Sequence, residues 1–202
     1  MSTAPHAAPV PLAPPGAGIP AIERLVGGTL FALRRRLGTR DQFAAQFAAQ
    51  RHAIHALYHA RPAATLGRRT LIPRLRGLED SSRFWSVWMT LDHLRIVNEQ
   101  IAGVIDALVQ GRTPPGVAST AAVKPSPDVG PDAARAHEAA CDRFASLLAS
   151  TPAPALRTAG RYAHPWFGPL DAHGWHAMAA MHMGIHRAQI ARILGTLDRL
   201  AP

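Results

Sequence analysis

The chain has 202 residues, of which 48% are apolar, and its only cysteine is Cys141. A chain of this length can bury a full core as one domain, and a single cysteine excludes an intrachain disulfide. The formal net charge is +9 at pH 7, but we find no apolar run long enough to span a membrane and no secretory signal, so we expect a cytoplasmic protein.

The positive charge is carried almost entirely by arginine, since Lys124 is the only lysine. The two densest clusters, within 34–36 and 68–76, lack the interleaved aromatic side chains that single-strand binders use for base stacking. We therefore interpret the arginines as a solvated surface or as partners of carboxylates, and we expect no nucleic-acid partner. Binding of nucleic acid or of a protein through segment 21–37 and these clusters stays open as an alternative.

The abundance of alanine and the scarcity of β-branched and aromatic residues predict an all-α protein. Residues 1–20 are rich in proline, alanine and glycine and are predicted to be a disordered tail, with one domain over 21–202. Apolar residues at helical spacing predict helices over 21–37, 39–60, 83–109, 132–149 and 172–199. Proline and glycine predict irregular chain over 61–80, 111–130 and 150–169.

The predicted helix 172–199 carries two histidines on its apolar face. Its apolar stripe consists of Trp175, Met178, Ile185, Ile190, Ile193 and Leu197. His182 and His186 lie four residues apart within that stripe, one turn above each other. Two inward imidazoles need partners, because a buried unsatisfied polar group costs about 1–3 kcal/mol. A shared divalent cation would supply them, and Gln189, on the same line as His182, is a candidate hydrogen-bond partner.

His93 is a third candidate ligand, because it shares a line of the predicted helix 83–109 with Met89, Val97 and Val104. Three imidazoles from two helices would leave coordination positions open, as in catalytic metal sites. Spacing alone does not decide between a metal and ordinary hydrogen bonds for these side chains.

The remaining histidines are interpreted without a metal. His52, His55 and His59 cluster more than 100° from the centre of the apolar stripe of their helix, which predicts a solvent-exposed face. His173 and His176 lie off the ligand face at the start of the last helix. Two further histidines have no assigned role: His137, which has no partner we can name, and His164, a loop residue that could approach the site. Cys141 falls in line with Phe144 and is interpreted as a small core residue.

Two stretches resemble the DinB-like family. Residues 85–94 (WSVWMTLDHL) resemble the helix that carries the first metal-binding histidine of that family. Residues 164–170 (HPWFGPL), followed by Trp175 and by His182-x-x-x-His186 with Gln189, resemble its C-terminal helix and the segment leading into it. Segment 1–38 and loop 61–80 have no counterpart that we can place. Gly174 stands where members often carry an acidic or amide residue, which predicts a less well secured helix start.

The resemblance implies a four-helix bundle, here with an extra N-terminal helix, in which His93, His182 and His186 hold a divalent metal, often zinc, nickel or iron. Relatives of this kind include thiol transferases and isomerases that use bacillithiol, mycothiol or glutathione, and metal-dependent hydrolases. We therefore expect a metal-dependent enzyme that acts on a small molecule through an activated thiol or water, without a catalytic base that we can name. A non-catalytic metal-binding or ligand-sensing bundle remains the alternative, and a homodimer stays open.

Overall fold

A computed structural model describes residues 11–200 as a mostly helical body with two short antiparallel pairs of strands. The helices of this part of the chain are α1 (Ala21–Leu37), α2 (Arg40–Tyr58), α3 (Ala63–Gly67), α4 (Val87–Val109), α5 (Asp132–Ser150) and α6 (Ala172–Leu200). The strands are β1 (Thr70–Leu71), β2 (Phe84–Trp85), β3 (Tyr162–His164) and β4 (Gly168–Leu170). None of these helices is both long enough and apolar enough to cross a membrane.

Helices α2, α4, α5 and α6 form a four-helix bundle, with α4 packed against α5 and α6, and α2 packed against α6. Its core is made of fully buried aliphatic and aromatic side chains, and the rings of Phe47 on α2 and Phe144 on α5 stack at 4.6 Å. The predicted all-α four-helix bundle with an additional N-terminal helix is confirmed.

The bundle helices begin at capping residues that the sequence marks. Thr39 forms a capping box with Gln42 at the start of α2. The Asp171 carboxylate accepts the Gly174 amide at 2.8 Å at the start of α6, so the glycine at position 174 does not leave this end unsecured. The Asp171 cap thus fixes the start of α6, the helix that carries His182 and His186.

The predicted start of α4 at Arg83 is wrong by four residues. Phe84 and Trp85 are extended and pair antiparallel with Thr70 and Leu71, and the Ser86 side chain then caps the helix by accepting the Met89 amide at 3.1 Å. The strands escaped notice because a two-residue ladder has no detectable period. The β3–β4 pair was missed in the same way, inside a segment predicted to be irregular.

The segment before α1 packs against the loop before α4. Residues 1–10 of the predicted disordered tail lie outside the described residues. In residues 11–20 the Ala13 amide donates to Asp80 at 2.8 Å and the Gly18 amide donates to Glu79 at 3.2 Å. Gly18 has φ +79°, a left-handed conformation in which a glycine is favoured and which turns its amide toward the carboxylate. This half of the segment therefore follows the surface of the bundle.

Candidate metal centre

Three imidazoles from two helices meet at one end of the bundle. His93 projects from α4, and His182 and His186 project from successive turns of α6. The Nε2 atom of His182 lies 3.2 Å from Nε2 of His93 and 3.1 Å from Nε2 of His186. The structure thus brings together all three histidines that the sequence singled out, with one nitrogen of each within 4.8 Å of the others.

The outer ring nitrogens of two of these histidines are tied to acceptors. Nδ1 of His93 donates to the carbonyl oxygen of Val123 at 2.7 Å. Nδ1 of His186 donates to Oε1 of Gln189 at 2.6 Å, and Nε2 of Gln189 donates to the carbonyl oxygen of Ser82 at 2.7 Å. With the proton held on Nδ1, each of these rings presents an Nε2 lone pair to the centre of the cluster.

Burial keeps the cluster uncharged. It lowers the pKa of His93 from 6.5 to about 4. It also lowers the pKa values of His182 and His186 well below their usual range, and neighbouring imidazoles depress them further. At neutral pH the site is therefore three neutral imidazoles, the form that binds a metal.

The three histidine nitrogens are better suited to binding a divalent cation than to hydrogen-bonding one another. Two lone pairs, from His93 and His186, face Nε2 of His182, which can donate a proton to only one of them. Nδ1 of His182 is also buried without a hydrogen-bond partner among the described residues. Metal–nitrogen bonds of about 2.0–2.1 Å in tetrahedral geometry put two ligand nitrogens about 3.3 Å apart, close to the two separations found here.

An aromatic ring and a buried ion pair flank the cluster. The ring of Trp85 lies 5.1 Å from that of His93 and stacks nearly parallel to that of His186 at 6.2 Å. Nζ of Lys124 lies 5.5 Å from the Trp85 ring and donates to Glu79 at 2.6 Å. Glu79 is 5% exposed, so this ion pair is buried, and the carboxylate compensates the charge of Lys124 beside the site.

The three histidines line a cavity of about 990 Å³. Most of its wall is aliphatic or aromatic, with contributions from α4, α6, the β3–β4 pair and loop 114–124. One side is formed by α1, through Ile22, Val26 and Leu30. A large, mostly apolar cavity with a few converging polar groups is the usual form of a small-molecule site.

The histidines of α2 take no part in the cluster. His52, His55 and His59 are exposed, and the rings of His55 and His59 stack at 5.1 Å on the surface. His164 lines the cavity, where its Nδ1 accepts the Trp166 amide at 3.1 Å. It contributes a wall residue near the cluster rather than a member of it.

Three other histidines are buried in the bundle. His137, for which the sequence suggested no partner, lies 3.6 Å through Nε2 from the sulfur of Cys141, and that cysteine is fully buried. His173 donates through Nε2 to the carbonyl oxygen of Arg35 at 3.2 Å, and His176 packs edge-on against Phe43 at 5.7 Å. These side chains belong to the packing of the helices.

Gln189 is bound to a different histidine from the one that the helical line suggested. The sequence placed it in line with His182, but it accepts from His186, because side chains on a helix lean toward its N-terminus and meet at i and i+3. Sequence reasoning did not find Val123, Ser82 or Trp85 as parts of the site. Val123 and Ser82 act through their backbone carbonyl groups, which every residue type has, so the sequence does not identify them.

Comparison with known proteins identifies a family for this chain and supports its fold. A family model described as the DinB superfamily matches residues 46–190, which include all three histidines of the cluster. No curated protein matches the chain.

A solved structure described as TT2238, a four-helix bundle protein, is similar to this one with a TM-score of 0.53. The two chains are 21% identical, and the likeness covers 74% of this chain and 96% of that one. At this identity the likeness supports the bundle fold alone.

Proposed function

The chain belongs to the DinB superfamily, and on that premise we propose that it binds a divalent metal through His93, His182 and His186 and uses it to activate a thiol or a water molecule. The substrate would be a small electrophilic molecule held in the adjoining cavity. The proposal is supported above all by one observation. Three neutral imidazole nitrogens point at one another with separations of 3.1 and 3.2 Å and with more lone pairs than protons.

Zinc, nickel and iron are the cations that the resemblance to DinB-like proteins implies, and this donor set is compatible with them. Imidazole nitrogen suits all three, and a set without thiolate or carboxylate gives no preference for calcium or magnesium. Three protein ligands leave at least one coordination position for an exogenous group. When bound, such a metal lowers the pKa of a thiol or of water so that the nucleophile exists near neutral pH.

Residues of this chain would orient the metal ligands and shield the bound metal from water. The carbonyl of Val123 and the amide of Gln189 fix which nitrogen of His93 and of His186 carries the proton, and so keep both Nε2 atoms available. Trp85 covers His93 and His186 on one side and limits the access of water. The cavity beside them would receive the substrate and, for a transferase, a low-molecular-weight thiol.

Cobalt substitution tests this proposal. Apo-protein loaded with Co²⁺ is expected to show a visible spectrum that changes when glutathione, bacillithiol or mycothiol is added, because a thiolate would enter the open position. The spectral change should require His182 and persist in His55→Ala, which removes an exposed histidine. A spectrum that is insensitive to thiols, with turnover of ester or epoxide substrates, would favour water as the nucleophile. If Co²⁺ does not bind, the proposal is wrong.

A non-catalytic ligand sensor is the second candidate, and one observation favours it. The only carboxylates that line the cavity within the described residues are Glu23 and Glu79, and both are paired, with Arg74 and Lys124 respectively. Neither is free to act as a general base. A metal-loaded protein that is stabilised by thiols without turning over electrophiles would support the sensor, whereas turnover would support the enzyme.

A further inference from the structure

Helix α1 spans the cavity beside the histidine cluster. It precedes residues 46–190, the part of the chain that matches the DinB superfamily. Three of its apolar side chains line the cavity while remaining open to solvent: Ile22 is 75% exposed, Val26 is 54% exposed and Leu30 is 62% exposed. When an apolar ligand covers apolar side chains that line a concave wall and face water, the free energy falls, because their surface is removed from water.

The helix is attached to the rest of the protein at both ends. Near its start, the Glu23 carboxylate accepts from the Arg74 guanidinium and from the Gly77 amide. Near its end, the ring of Phe31 packs on that of Phe167 at 4.6 Å, and the Arg35 carbonyl accepts from His173 at 3.2 Å. Between these attachments lie Gly27 and Gly28, where an added Cβ would meet no atom within 4 Å. The middle of α1 thus faces open space, held in place from its two ends.

The rest of the cavity wall is also mostly apolar, and the three histidines form part of it. The bundle contributes Val97, Ile101, Met178 and Met181, and the β3–β4 pair contributes Trp166 and Phe167. Three neutral imidazoles would leave the charge of a divalent cation uncompensated, and the nearby carboxylate of Glu79 is already paired with Lys124. An anionic group at the metal would supply the compensation.

We propose that this cavity binds an amphiphilic small molecule, with an anionic metal-ligating head at His93, His182 and His186 and an apolar body against α1. The head is a carboxylate or a thiolate, which share the ability to complete the coordination of the metal. This proposal rests on the proposed metal site, and it adds the class of ligand. At about 990 Å³ the cavity stands at the upper end of the range for small-molecule sites, so it has room for a body of many carbon atoms.

Calorimetric titration of the zinc-loaded full chain with sodium octanoate and with sodium acetate tests the apolar body. Octanoate is expected to bind at least tenfold more tightly than acetate, since burying about two methylene groups is worth roughly tenfold in affinity. Hexanethiol against 2-mercaptoethanol repeats the comparison with a thiol head, and the tighter series identifies the head. Metal content is measured on the same samples, so that loss of the metal and loss of the apolar site are distinguished.

Two substitutions on α1 form a matched pair. Val26 and Leu33 are each 54% exposed, but Val26 lines the cavity and Leu33 does not. Val26→Gln should weaken octanoate binding about fivefold or more and leave acetate binding unchanged, because it removes apolar contact at the body and not at the head. Leu33→Gln should change neither.

Equal affinities for octanoate and acetate in a metal-loaded protein would overturn the proposal and leave the metal site standing. Equal effects of the two glutamine substitutions would also overturn it. If the protein takes up no metal but still prefers octanoate, and Val26→Gln abolishes that preference, the apolar site stands and the metal-bound head is rejected. No octanoate binding to that metal-free protein would reject both.

Discussion

Gln189 fixes the orientation of His186 by bonding to it and to the backbone at once. Its Oε1 accepts from Nδ1 of His186 at 2.6 Å, and its Nε2 donates to the carbonyl oxygen of Ser82 at 2.7 Å. The side chain is fully buried, so water does not replace either bond. The loop before α4 is thereby linked to the face of α6 that carries the histidines.

Gln189→Leu should lower the affinity for zinc by about 10–100-fold, because His186 loses the acceptor that holds its proton on Nδ1. Gln50→Leu is the matched control. It removes a bond of 2.7 Å from Arg187, the neighbour of His186 in sequence, without touching the cluster. Competition with a chromogenic chelator measures both affinities. Equal affinities of the two variants would show that Gln189 does not position the ligand.

Lys124→Met should destabilise the protein by about 3 kcal/mol, because it leaves the buried Glu79 carboxylate without its cation. Glu79 also accepts the Gly18 amide, so the segment 11–20 should become more sensitive to limited proteolysis.

Arg135→Met is the control for this ion pair. Its partner is Asp132, and with side chains 83% and 88% exposed the pair should contribute no more than about 0.5 kcal/mol. Urea unfolding measures the free energies of both variants. A change at Lys124 as small as that at Arg135 would contradict the role given to the buried pair.

The metal-free protein should lose stability as the pH falls from about 6.5 to about 4. Burial lowers the pKa of His137 and of His176 from 6.5 to about 4, so in this range the unfolded chain binds protons that the folded chain does not. The free energy of unfolding therefore rises with pH across the window, by up to about 3 kcal/mol for each histidine.

Urea unfolding in excess chelator, at several pH values between 7.5 and 4.5, measures this dependence. His176→Leu should flatten it, since neither ring nitrogen of His176 has a hydrogen-bond partner among the described residues. His55→Leu, at an exposed position, should leave the slope as it is. A wild-type free energy that stays constant down to pH 5 would rule out the explanation.

Two glycines near each other in sequence should respond to alanine in opposite directions. At Gly38 an added Cβ would collide with the buried ring of Phe43, so Gly38→Ala should cost about 1–3 kcal/mol. At Gly27, inside α1, an added Cβ meets nothing within 4 Å, so Gly27→Ala should stabilise the helix by about 0.5–1 kcal/mol. Thermal unfolding of both variants measures the difference, and effects of the same sign would contradict the structure.

The bundle and the histidine cluster were accessible from the sequence for a physical reason. A helix repeats its faces every 3.6 residues, so the inward positions of α6 can be counted along the chain, and His182 and His186 fall on them. His93 was placed in the same way on α4, and the resemblance to DinB-like proteins supplied the link between the two helices. The structure then brought the three nitrogens together.

What escaped the sequence analysis depends on loops and on tertiary contacts. The Val123 carbonyl reaches His93 from a segment without periodicity, and any residue type would offer the same oxygen. The position of α1 over the cavity depends on Glu23 meeting Arg74 and Gly77 more than 50 residues away, which no local pattern encodes. The helical spacing of apolar residues over 21–37 was visible in the sequence, but the cavity that they line was not.

Elemental analysis of untagged wild-type protein, alongside His93→Ala, His182→Ala and His55→Ala, tests the central claim most directly. The account predicts close to one divalent metal per wild-type chain, lost in the first two variants and retained in His55→Ala, whose side chain is exposed and does not belong to the cluster. Wild-type protein without metal after reconstitution, or loss of metal only in His55→Ala, would contradict the three-histidine site.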